Sequence, residues 1–165
     1  MLDHLPHRID PYEFVEKKRR IKGKLPFSGM DRLRDVVLNL DDAASVELEF
    51  ARQERVAAVE GKIEAKLVLQ CQVCLEALDW PVASEVHLGV VRSLDEADTL
   101  PESFEPLLVE ADSPIELADI IQDELLLALP VVPQHADCRL SKAEAKAEGR
   151  KHPFAALAQL KKPNP

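Results

Sequence analysis

Glycine is scarce in this sequence, five residues in 165, and no phosphate-cradling G-x-x-x-x-G-K run occurs among them. The G-x-S-x-G nucleophile elbow and the H-E-x-x-H pattern are missing too, so the common local signatures of nucleotide, acyl and metal-hydrolase chemistry are excluded. Aromatic residues make up 4%, which leaves the core to be built from Val, Leu, Ile and Ala. Cysteines number three. An odd count in a reducing compartment argues against a disulfide framework and leaves metal binding, reactivity or plain burial. No apolar run approaches the ~20 residues that a membrane-spanning helix needs. The opening "MLDHLPHRIDPYEF" lacks the apolar stretch and cleavage site of a signal peptide, so a cytoplasmic protein with no membrane contact is expected.

What is present suits one globular domain with tails: 46% hydrophobic and 31% charged residues in a chain too short for two comfortable domains. We expect a basic N-terminal arm over residues 1–24, a single α+β domain over 25–138 and a C-terminal tail over 139–165. The net charge of −9 is unevenly spread. From Glu85 to Glu124 twelve acidic residues stand against Arg92 alone, whereas "KKRRIKGK", Lys17 to Lys24, has six basic residues in eight. An acidic body with basic ends fits a protein that touches phosphate locally and presents a negative face to a basic partner.

Period-two alternation is clearest from Ser45 onward. Val46, Leu48 and Phe50 alternate with Glu47 and Glu49, and Ile63, Ala65, Leu67, Leu69 and Cys71 continue the pattern after Gly61, which is read as a turn or bulge. Leu78, Trp80, Val82, Val86, Leu88 and Val90 repeat it, with Ser84 as the exception. The expectation is an antiparallel β-meander. Shorter strands are expected over Val36 to Leu40 and Leu107 to Glu110, a helical turn around Tyr12 to Arg19, and a short helix capped by Asp31. The strongest helix signal has Ser113 as N-cap, Pro114 at the first helical position and Glu116 completing a capping box. That helix is expected over about 114–129, stopping at Pro130 and covering the sheet, with Glu116, Asp119 and Asp123 on its polar face. "FAALAQL" reads as a short docking helix in the tail.

Cys71-x-x-Cys74 lies on a turn between two predicted strands, and His135-x-x-Cys138 follows the main helix. Together they make a Cys₃His set that zinc would bind tetrahedrally as one structural ion. Buried or solvent-edge thiols are the alternative, because a lone HxxC is a less specific pattern than a second CxxC. A redox pair fits poorly, since the first cysteine follows a strand and does not open a helix. The helical carboxylates are more simply a solvated face than a Mg²⁺ site.

"LQCQVCLEAL", "LPESFEPLLVE", "IELADIIQDELLLALPVVPQHADC" and "PFAALAQLKK", in that order, resemble the bacterial YceD family of large ribosomal RNA subunit accumulation proteins, from about Leu25 to Lys162. The resemblance implies a non-enzymatic ribosome biogenesis factor supporting synthesis, processing or stability of 23S rRNA. Joined to the charge pattern, it makes Lys17, Lys18, Arg19, Arg20, Lys22 and Lys24 candidates for contact with precursor or mature 23S rRNA through phosphates. Glu116, Asp119 and Asp123 are the candidate face for a basic large-subunit ribosomal protein, the second kind of partner considered.

Overall fold

The computed structural model describes residues 5–110 and 113–138, whose elements in chain order are β1 (Arg8–Ile9), α1 (Pro11–Glu16), β2 (Arg20–Pro26), α2 (Asp31–Arg34), β3 (Ala43–Gln53), β4 (Val56–Gln70), β5 (Ala77–Val91), α3 (Leu94–Ala97), β6 (Glu105–Leu108), β7 (Ile115–Glu116) and α4 (Leu117–Leu127). The fold is α+β. Five strands lie side by side in the order β2-β3-β4-β5-β6; β3, β4 and β5 form the antiparallel meander that the alternation predicts, and β2 extends it by one antiparallel strand that the alternation does not. Val46, Leu48 and Phe50 are buried on its inner face with Ile63, Leu67 and Leu69. Burying one side chain of this size contributes roughly 1.5–3 kcal/mol, and the row of them dictates which face α4 covers. Ser84 breaks the apolar series because it meets that helix: its hydroxyl donates to Glu124 Oε2 at 3.0 Å. Burial raises the Glu124 carboxyl above the usual carboxylate range.

The described part of residues 1–24 is built into the fold and is not an extended basic arm. Asp10 accepts from the amides of Tyr12 and Glu13 and caps α1, with Pro11 in the first turn. Phe14 then packs edge-on against Phe50, ring centroids 5.2 Å apart. β2 pairs with β3 from Arg20↔Glu49 to Pro26↔Ala43. Within the basic run, Ile21 is the residue turned into the core, which a reading of charge alone passes over.

The main helix also starts later than its capping box predicts. Glu116 has φ −79° and ψ 128°, and α4 begins only at Leu117 without a side-chain cap. Ile115 and Glu116 are instead held extended by antiparallel pairing with β1, and the Leu117 amide donates to His7 O. β6 runs parallel to β5 and ends at Leu108, two residues short of the predicted strand. Val36 to Leu40 form no strand. Leu38 N donates to Val68 O, and the Asn39 side chain bonds Lys66 O and Val68 N, serving β4 where β3 no longer reaches it. Gly61 is neither turn nor bulge, since pairing continues through it on both sides. The predicted docking helix of the tail lies outside the described residues.

Candidate functional site

Cys71 closes the buried face of β4, and the chain turns at once. Leu75 N donates to Cys71 O and Cys71 N to Glu76 O, both at 2.9 Å, with Leu75 in the left-handed region at φ 65°. This tight turn aims backbone amides at the Cys71 sulfur. The Cys74 amide does most to hold its thiol down to about 5, assisted by the amides of Val73 and His135 and opposed by burial. Beyond α4 the chain returns to the same turn, where Gln72 N donates to Pro133 O at 2.8 Å.

His135 arrives with its tautomer set by a hydrogen bond. Nε2–H donates to Ala77 O at 3.1 Å, which leaves the Nδ1 lone pair facing the sulfurs. Nδ1 lies 3.5 Å from Cys74 Sγ and 3.7 Å from Cys138 Sγ, and all four ligand atoms fall within 4.8 Å of one another. A ZnS₃N tetrahedron built from ordinary bond lengths has edges of about 3.6 Å from nitrogen to sulfur and about 3.8 Å between sulfurs. The residues therefore fit zinc in both spacing and donor chemistry. With four protein ligands the centre has no open position, which suits a structural metal and not a catalytic one.

Protonation divides the set. The Cys71 sulfur is the principal cause that lifts the His135 imidazole above its usual value, whereas hydrogen bonding with Cys74, followed by burial, pushes the Cys138 thiol up to about 11. The sequence motifs point to the four ligands, but not to Ala77 O, the amides of Val73 and Cys74, or the Gln72–Pro133 bond. Those are backbone groups, and no residue type betrays them.

The basic candidates fall on the end of α1, the turn after it and β2. Arg20, Lys22 and Lys24 alternate onto the solvent face of the sheet, where Arg20 pairs with Glu49 at 2.8 Å and Lys22 with Glu47 at 2.7 Å. The Lys22 hydrogen bond holds the Glu47 carboxyl below its usual value. Lys17 pairs with Glu13. Lys18, at φ 47°, and Arg19 occupy the turn before β2. Among the described residues no carboxylate lies within ion-pair distance of Lys18, Arg19 or Lys24. Of the acidic candidates, Glu116 is in β7, Asp119 is exposed in the first turn of α4, and Asp123, one turn further along, is paired with Arg32 at 2.5 Å.

A family model described as "Large ribosomal RNA subunit accumulation protein YceD" matches residues 59–161 of the chain. This chain belongs to the YceD family. Its match to that model takes in Cys71, Cys74, His135 and Cys138. A curated relative from Haemophilus influenzae, itself named large ribosomal RNA subunit accumulation protein YceD, is 31% identical over 167 residues, covering 95% of this YceD-family chain and 96% of its own length. No solved structure gives a significant match. Among the described residues no helix is long and apolar enough to cross a membrane.

Proposed function

We propose that this chain supports the accumulation of large-subunit ribosomal RNA as a non-enzymatic factor that associates with the RNA through its basic residues. The observation that carries the reading is family membership, supported by a relative aligned over 95% of the chain and named for that role. Lys18, Arg19 and Lys24 are exposed and available to phosphate. The exposed pairs of Arg20 and Lys22 are of the kind that exchange partners readily. Zinc bound by Cys71, Cys74, His135 and Cys138 has a structural task, tying the exit of α4 to the β4–β5 turn.

A basic protein partner held by the acidic face is the second reading, with Asp119 exposed and Asp123 in an exposed pair with Arg32. Affinity capture from lysate, with and without nuclease, tests the choice. Large-subunit RNA should be recovered, and associated ribosomal proteins should disappear after nuclease treatment. A ribosomal protein retained in nuclease-treated samples, with no RNA recovered from untreated ones, overturns the RNA reading.

A further inference from the structure

We infer that a cleft at the β3–β4 turn end of the sheet is a binding site for backbone phosphates of single-stranded RNA, formed by Arg52, Arg55 and Arg92 around Tyr12. The inference rests on the RNA-association reading above and names a site for it that the basic run of the sequence does not contain. The cleft has a volume of about 530 Å³. Its arginines come from separate parts of the chain: Arg52 from the end of β3, Arg55 from the two-residue turn that follows, and Arg92 from the residue after β5.

Three features favour an anionic ligand. Among the described residues, no carboxylate lies within ion-pair distance of Arg52, Arg55 or Arg92, whereas Arg20, Arg32 and Arg34 each have one. Gathering unpaired guanidinium groups costs repulsion that a phosphate relieves, and their planar forks match phosphate oxygens in pairs. Two carboxylates, Glu16 and Glu96, also line the cleft. Glu96 Oε2 is committed to the Arg92 backbone amide at 2.7 Å.

The second feature is a fixed frame. Tyr12 Oη donates to Val90 O at 3.3 Å, and the Arg92 guanidinium lies 4.4 Å above the Tyr12 ring, which restrains the cation before any ligand arrives. Burial raises the Tyr12 phenol above its usual value and Glu96 adds to this, while Arg92 and Arg52 pull the other way. Both guanidinium groups therefore act on the same phenol.

The third is continuity. Phe50 N donates to Arg19 O at 2.8 Å, so the turn carrying Lys18 and Arg19 abuts the strand end that carries Arg52. A backbone crossing the cleft meets positive charge beyond it, and an extended polyanion exploits such a track better than a free phosphate ion does.

The test is fluorescence anisotropy of the full chain with a fluorescein-labelled single-stranded RNA of mixed sequence, over a series of salt concentrations. The triple variant R52Q/R55Q/R92Q should bind about tenfold or more weakly. Its slope of log K against log salt should flatten by about 2, near 0.7 for each phosphate no longer neutralised. R52K/R55K/R92K should retain most of the slope. R34Q/K62Q/K66Q, with the same loss of charge elsewhere, should bind within about twofold of the wild type. If the triple glutamine variant melts early, R55Q alone, at the exposed turn, should flatten the slope by about 0.7. Wild-type binding with an unchanged slope in R52Q/R55Q/R92Q, or in R55Q where that is the variant that folds, overturns the cleft and leaves the RNA reading standing. An equal loss in the control variant overturns it too. A wild-type chain that binds no RNA overturns both.

Discussion

The Cys138 thiol can ligate zinc only after losing a proton that it holds up to about 11, and His135, itself shifted upward, must also be neutral to bind. Each proton displaced at the binding pH makes zinc affinity fall about tenfold per pH unit of acidification. Competition against a colorimetric chelator between pH 8 and pH 6 should therefore show affinity dropping at least that steeply, and Cys138→Ser should lose the metal. A pH-independent affinity would contradict a centre built on these ligands. Gly61 poses a simpler problem of space. A Cβ there would lie 2.0 Å from Glu47 O, on backbone that cannot withdraw. Gly61→Ala should cost about 3 kcal/mol or more, read as a lowered urea midpoint; a change within about 0.5 kcal/mol would refute the crowding. The sequence marks both places, since C-x-x-C, H-x-x-C and an interrupting glycine are visible as residue types. The reason for the glycine was not legible, because it lies in the carbonyl of a partner strand.

At the scale of elements, α2 depends on a residue ninety positions away. Gln122, only 3% exposed, accepts with its side-chain oxygen from Arg32 N at 2.8 Å and Leu33 N at 3.2 Å, while α2 has no side-chain cap of its own. Gln122→Leu keeps the volume but strands two amides beside a buried face. It should cost about 1–3 kcal/mol and speed hydrogen exchange at Leu33; an unchanged urea midpoint would show that water replaces the amide oxygen. Strands β3 to β5 were legible because half-burial writes a period of two into the residues themselves. The start of α4 was not. Ser113, Pro114 and Glu116 satisfy the local rules for a helix end, but pairing with Arg8 and Ile9 holds 115 and 116 extended, and that preference is set more than a hundred residues away. The same limit hid β2, whose alternation is short and dominated by charge.

Across the whole molecule the sheet keeps an apolar inner face under α4 and a solvent face on which opposite charges are largely matched across strands, as at Arg20–Glu49, Lys22–Glu47 and Lys66–Asp79. Among the described residues, positive charge without an ion-pair partner gathers at the turn end of the sheet, at Lys18, Arg19, Arg52, Arg55 and Arg92, and the Cys₃His set sits at the other end of β4. In the proposed account zinc and RNA contact are thus separable, the first holding the chain after α4 against the sheet and the second meeting the polyanion. The acidic and basic blocks were legible in the sequence as blocks, but the pairing of Arg20 and Lys22 with Glu49 and Glu47 of β3 was not, because it depends on strand register. The claim that joins these features is a role in large-subunit RNA accumulation, and the ratio of large- to small-subunit ribosomal RNA in cells deprived of this chain measures it most directly. We predict a lowered ratio that the wild-type chain restores. A ratio equal to that of the parent cells would contradict the account.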